Sequence, residues 1–249
     1  MTKNQKLIAV TTIREGDKYS PIERMRAEVF LDTAENLRVF GIPCIAVFED
    51  CSDEYIRTVS DLGVVVTQQS KPGMSNARRE ALRVSFDHYP EATHCLWLEP
   101  EKPGIPRFAS GLVKRMLESN AALGLFNRLS MKSYPSEQAY YYLFCRAVAS
   151  RLVGFDLDYA FGPMILTRES IPFFLDYSDE YGGLWDSILI PRLRVIKSGL
   201  VVVTRDIRFS NDPRMTEMES GNPSIILKRI RQLNNVVPSL IEEWQGSKV

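Results

Sequence analysis

The chain alternates short apolar runs with longer stretches in which apolar residues recur every three or four positions. A short apolar run between turn-forming residues predicts a buried strand, and the three-to-four-residue period predicts an amphipathic helix. Leu7–Ile13, Ile42–Phe48, Val64–Thr67 and Thr93–Leu98 read as strands. After the first, Ser20-Pro21-Ile22-Glu23 supplies an N-cap, a proline at the first helical position and a capping-box glutamate. Met25, Val29, Ala34, Leu37 and Phe40 mark the apolar side of that helix, and Gly41 ends it. Ser52 caps a second helix with Ile56, Val59 and Leu62 inward, and a third runs from Ser75 to Tyr89. This βαβαβαβ order predicts a parallel sheet with helices on both faces.

The second half is less regular. Arg107–Asn120, Ser136–Val153 and Leu184–Lys197 read as helices, the last containing Pro191, and Ala121–Phe126, Tyr159–Thr167 and Leu200–Thr204 read as strands. Past Asn222, Ile226, Ile230, Leu233, Val237, Leu240 and Trp244 form an apolar stripe, with Pro238 expected to interrupt the helix. The expected organisation is one domain over 1–222 with a nucleotide-binding-like half over 1–106, and a C-terminal helical tail over 223–249. That tail either docks on its own domain or joins two chains as a homodimer.

Composition narrows the partners. The 31 basic and 31 acidic side chains cancel, which argues against a nucleic-acid polymer as partner. No apolar run approaches the roughly 20 residues needed to span a bilayer, and the polar start followed by Leu7–Ile13 does not make a signal peptide. Cys44, Cys51, Cys95 and Cys145 match no zinc spacing, and three of them sit in or beside apolar runs. A reduced, cytoplasmic protein is expected. His88 and His94 are too few for a histidine-based metal site.

In open parallel sheets, ligands bind at the carboxyl ends of the strands. Those ends carry acids after the second and fourth strands and bases after the first and third. Glu99-Pro100-Glu101 follows the fourth strand; two carboxylates one residue apart suit a hard cation such as Mg²⁺ or Mn²⁺ bridging to a diphosphate, or are two solvated loop glutamates. Glu49 and Asp50 are placed to meet a base or ribose, and Ser52 and Asp53 to start a helix. Lys71, Gly73 and Arg78 surround a glycine-led helix start, a geometry that favours an anion. Neither GxxxxGK[ST] nor GxGxxG occurs. Gly182-Gly183-Leu184-Trp185-Asp186 puts an acid at another helix start.

Taken in order, these motifs resemble the GT-A glycosyltransferases, the family-2-like group within the nucleotide-diphospho-sugar transferases. Val47-Phe48-Glu49-Asp50-Cys51-Ser52-Asp53-Glu54 stands where that family has Val-x-Asp-Asp-Gly-Ser-x-Asp. Gly73 to Arg79 matches its glycine-led Ala-Arg-Asn helix, and Glu99-Pro100-Glu101 its Asp-x-Asp. Phe161-Gly162-Pro163 and Trp185-Asp186-Ser187-Ile188-Leu189-Ile190-Pro191-Arg192-Leu193 match its acceptor strand and its Glu-Asp-x-x-Leu helix. The resemblance implies an α/β, mostly parallel central sheet flanked by helices, with residues 107–222 as the acceptor half. It implies a metal-assisted glycosyl transfer from a UDP- or GDP-sugar to an unknown acceptor hydroxyl. Thr11, Thr12, Arg14, Glu49 or Asp50, Lys71, Gly73 and Arg78 would bind the nucleotide sugar, and Glu99 and Glu101 a Mn²⁺ or Mg²⁺ ion. Gly162 and Trp185 would lie on the acceptor side, with Asp186 as general base. Two departures stand out: Glu-Pro-Glu replaces Asp-x-Asp, and Trp185 replaces the Glu of Glu-Asp. They favour a second reading, a GT-A-like binding or scaffold protein without transfer. A nucleotidyltransferase ranks last, because Thr11–Tyr19 holds only Gly16 where such enzymes have a glycine-rich loop.

Overall fold

The structure, a computed structural model, describes residues 6–15 and 20–246; Gly16 lies outside them. A seven-stranded sheet of order β3-β2-β1-β4-β6-β5-β7 forms the middle layer. Strands β1 (Leu7–Arg14), β2 (Cys44–Glu49), β3 (Val64–Gln68) and β4 (His94–Trp97) are parallel, as the alternating pattern predicts. Beyond β4 the direction changes. β6 (Met164–Thr167) is antiparallel to both β4 and β5 (Leu123–Arg128), and β5 is parallel to β7 (Val202–Ile207).

The helices are α1 (Pro21–Val39), α2 (Asp53–Asp61), α3 (Met74–His88), α4 (Pro106–Ser119), α5 (Ser136–Val153), α6 (Ile171–Leu175), α7 (Asp186–Lys197), α8 (Pro213–Glu219) and α9 (Pro223–Gln245). The capping box at Ser20 and Glu23 is present. Central β1, β2 and β4 are buried along nearly their whole length, because helices cover both faces of a parallel sheet. Glycine makes one of these layers close: a Cβ on Gly124 of β5 would lie 2.6 Å from Met116 Sδ and 2.9 Å from Leu112 Cγ of α4.

Four expectations change. The strand predicted over Tyr159–Thr167 is only Met164–Thr167; the preceding segment turns and receives the buried Arg192, whose Nη1 donates to the Phe161 carbonyl at 2.9 Å. The short helices α6 and α8 were not foreseen. Pro238 does not interrupt α9, which runs unbroken through it. The lost N–H is offset by packing on either side: Val236 and Leu240 enter the main core, Asn235 Nδ2 donates to the Tyr181 carbonyl, and Glu243 pairs with Arg194. The expected stripe of α9 holds only from Leu233 onward: Leu240 is buried and Leu233, Val237 and Trp244 pack against the main core, whereas Ile226 and Ile230 are exposed and Ile225 is buried instead. α9 packs on α5 and α7 of its own chain. Among the described residues no helix is long and apolar enough to cross a membrane, and all four cysteines are free thiols.

Candidate active site

The carboxyl ends of β1, β2 and β4 open onto a cavity bounded by the first turn of α3, the loop after β4, and α1, α5 and α9. On its sheet side, Thr12, Arg14, Glu49, Arg78 and Trp185 form the wall. Arg14 and Glu49 are register partners in β1 and β2, which sets Arg14 Nε 2.8 Å from Glu49 Oε2. Arg78 projects from α3 and donates to Ser187 Oγ at 2.7 Å and to the Leu184 carbonyl. Its neighbours are thus neutral acceptors, and burial pushes its pKa down to about 10 while Glu99 and Asp186 oppose the shift. It stays charged at neutral pH, and among the described residues no carboxylate is bonded to it. The α3 turn is anchored to the opposite loop by Arg79, which donates to both Asp179 oxygens, at 2.8 and 2.9 Å.

Not every expected nucleotide-side residue reaches this wall. Thr11 is fully buried with its Oγ1 unpartnered. Asp50 is exposed in a left-handed turn at φ 50°. Lys71 is exposed, and its carbonyl accepts from the Gln69 side chain. Gly73 caps α3 with φ 107°, a backbone conformation that a side chain would strain. None of the four lines the cavity.

Asp186 is fully buried. One carboxylate oxygen accepts from Tyr177 Oη at 2.5 Å and the Gly183 N–H at 3.0 Å, and the other accepts from the Leu184 N–H at 2.8 Å. These bonds tie down the Gly182–Leu184 turn that carries Trp185 and receives Arg78. The carboxylate points into protein and away from the cavity. This is the geometry of a structural anchor: three of the carboxylate's acceptor sites are engaged within the protein, and its complete burial keeps an acceptor hydroxyl from the remaining one.

Glu99 and Glu101 both reach the cavity, together with Lys102. Lys102 Nζ lies 4.0 Å from Glu99 Oε2 and 3.9 Å from Glu101 Oε1, and Arg26 Nε lies 3.5 Å from Glu101 Oε1. Lys102 is buried, which alone would lower its pKa; Tyr134, Glu101 and Glu99 outweigh burial and hold it above the usual lysine range. Burial likewise raises the Glu101 pKa, but Arg26 and Lys102 outweigh it and keep the group ionised. Gly162 makes room for this arrangement, because a Cβ there would stand 2.7 Å from Glu99 Cδ.

These donors do not fit the divalent ion that the resemblance implies. Among the described residues no three His, Cys, Asp or Glu side chains converge on one point. The two glutamates already share an ammonium, and Glu101 a guanidinium as well. Unit charges 4 Å apart interact by ~4 kcal/mol at an effective dielectric of about 20, so a dication between these carboxylates would be repelled by Lys102 and Arg26.

The far lobe was largely missed by sequence reasoning. Here Gln138, Tyr142, Glu219, Lys228, Arg229 and Gln232 form the wall. Arg229 donates to Gln232 Oε1 at 2.6 Å and to Gln138, and stacks 5.5 Å from the rings of Tyr141 and Tyr142. Lys228 has no carboxylate within ion-pair distance among the described residues; the Arg26 charge and burial push its pKa down to about 7. The signal was present as polar residues at 228, 229 and 232, three to four apart on α9. An apolar-stripe reading discards such positions, because it assumes the inward face of a helix is apolar.

No family profile matches the sequence, and no curated protein matches it. Solved structures do. Glucosyl-3-phosphoglycerate synthase from Mycobacterium tuberculosis, in complex with Mn²⁺, UDP-glucose and phosphoglyceric acid, superposes with a TM-score of 0.66 at 11% identity, covering 98% of this chain and 80% of that one. The same enzyme with Mg²⁺ and UDP gives 0.61 at 11% identity, covering 98% and 80%. A further mycobacterial protein gives 0.67 at 12% identity, covering 98% of this chain and 76% of the other. The fold is therefore GT-A-like: a mostly parallel seven-stranded sheet flanked by helices.

Proposed function

We propose that the chain is a glycosyltransferase that takes a sugar from a nucleotide diphosphate sugar. The observation that supports this most is the cavity at the carboxyl ends of β1, β2 and β4, where Arg78 presents a charge that, among the described residues, bonds only neutral acceptors. In a GT-A-like sheet that edge receives the nucleotide. Thr12, Arg14 and Glu49 offer hydroxyl, guanidinium and carboxylate groups to a base and ribose, and Arg78 faces the diphosphate. Trp185 supplies an aromatic face at the sugar.

In the same reading the acceptor occupies the far lobe. Among the described residues neither Lys228 nor Arg229 has a carboxylate within ion-pair distance, so the acceptor is an alcohol that also carries a carboxylate or phosphate. Fixed cations and hydrogen-bond donors stabilise the charge that gathers on the departing diphosphate oxygen, at sites already ordered before the reaction.

Incubating the protein with UDP- and GDP-sugars and a panel of hydroxy acids and phosphorylated alcohols tests this. Acceptor-dependent release of nucleoside diphosphate, with a matching glycosylated product by mass spectrometry, is expected. The enclosure of Asp186 favours the second reading, a binding protein without transfer. Saturable nucleotide binding with no diphosphate release for any acceptor would establish that reading instead.

A further inference from the structure

We infer that the Lys102 ammonium takes the place of a divalent cation, so that this cavity holds a diphosphate without metal. The inference rests on the nucleotide-sugar reading above. It starts from hydrogen-bond accounting. Buried donors are almost always paired, and an ammonium has three N–H groups to satisfy. Lys102 is 4% exposed and on the cavity wall, yet among the described residues it donates no hydrogen bond; its two carboxylates stand at 4.0 and 3.9 Å, ion-pair range but too long to bond.

Its surroundings repeat the pattern. Tyr134, 6% exposed, lines the same wall with an unpartnered Oη, and its ring lies 5.8 Å from Lys102 Nζ. Arg26 Nε, on the wall beside Glu101, is buried and forms no hydrogen bond, and the same holds for Arg229 Nε. Among the described residues, then, four side chains that line one cavity each keep a donor without a hydrogen-bond acceptor. A ligand rich in anionic oxygens supplies acceptors for them, and a metal ion supplies none.

The acids are explained as well. Glu99 and Glu101 hold Lys102 in a buried site where an isolated ammonium would be costly, leaving its protons for the ligand. In this site two carboxylates fix a protonated amine where Asp-x-Asp residues would fix a metal. One methylene of extra length in each glutamate is compatible with spanning to Nζ. Arg26, paired with both Glu101 and Glu219, buttresses the same arrangement.

Calorimetric titration of UDP into wild-type protein, once in EDTA and once with Mn²⁺, tests the inference without any variant. Equal affinity in both is expected. Binding that needs Mn²⁺, or strengthens tenfold or more with it, overturns the inference while leaving the nucleotide reading intact. Failure to bind UDP or any other nucleoside diphosphate in either condition overturns both. Mn²⁺ alone, followed by its electron paramagnetic resonance signal, should not bind; a saturable site lost in Glu101→Gln overturns the inference independently. Lys102→Met, if folded by circular dichroism, should weaken metal-free UDP binding about 10- to 100-fold, the range for hydrogen bonds to a charged group. Unchanged metal-free affinity in that variant also overturns it.

Discussion

Arg128 and Asp158 form a two-pronged ion pair at complete burial, with Nε to Oδ2 at 2.7 Å and Nη2 to Oδ1 at 2.8 Å. The guanidinium also lies 3.9 Å from the Tyr142 ring centroid and 4.9 Å from that of Tyr134, so the pair supports the aromatic wall of the cavity from behind. Removing one member leaves a buried charge uncompensated, which costs about 3–5 kcal/mol. Asp158→Ala should therefore lower the free energy of unfolding by that amount, read in urea as a lower midpoint at an unchanged slope. A loss under 1 kcal/mol would show that the site relaxes and that the wall does not depend on the pair.

Asp186→Asn distinguishes an anchor from a base. Asparagine retains one accepting oxygen, so at least one of the bonds from Tyr177, Gly183 and Leu184 is lost. A buried donor left unpaired costs about 1–3 kcal/mol. The variant should be measurably less stable, with transfer rates falling in step with the folded fraction. Full stability combined with a hundredfold loss of turnover would restore Asp186 to the role of base.

Gly162→Ala probes the Glu99 position without disturbing the core. The added methyl would stand 2.7 Å from Glu99 Cδ and Oε1, the far end of a flexible side chain that is itself 37% exposed. The melting temperature should change by only about 2–4 °C, equivalent to roughly 1 kcal/mol in a chain of this size. Displacing Glu99 removes one of the two carboxylates holding Lys102, so UDP affinity should fall several-fold. Unchanged affinity would mean that Glu99 does not position the ammonium.

Acceptor binding should depend on pH through Lys228. In the free protein its pKa is held down to about 7, chiefly by Arg26 and then by burial and Arg229, against Glu101 and Glu219. A bound anion favours the protonated amine and raises that value. Affinity for an anionic acceptor should thus be complete below pH 7 and decline as pH rises through 7, by at most tenfold per unit. The same shift makes the unliganded fold gain stability from pH 7 upward, because the unfolded chain, with its pKa near 10.4, binds the proton more tightly. Titrating 3-phosphoglycerate into wild type and Lys228→Met cancels the ligand's own ionisation. Identical pH profiles for the two proteins would remove Lys228 from the acceptor lobe.

Much of the first half was legible because its signals are local. Ser20, Pro21 and Glu23 mark a helix start within four residues, and the runs at Leu7, Ile42, Val64 and Thr93 mark strands wherever the chain folds them. The reversal at β6 was not legible: antiparallel pairing to β4 depends on which edge the chain returns to, and four residues, Met164–Thr167, leave little periodicity to read. The site divided in the same way. Thr12, Arg14, Glu49, Arg78, Glu99, Glu101 and Trp185 line one cavity. Lys102, next to Glu101 in the sequence, carries no sequence signal of this role, because an adjacent lysine usually points to solvent, and only the fold shows it buried against both acids.

The most direct measurement is calorimetric titration of UDP-glucose and UDP into the wild-type chain and into Arg78→Met. The account predicts saturable binding of one nucleoside diphosphate or its sugar at a single site, weakened tenfold or more by the substitution while the fold is retained. No binding of any nucleoside diphosphate or nucleotide sugar to the folded wild-type protein, or binding that Arg78→Met leaves unchanged, would contradict it.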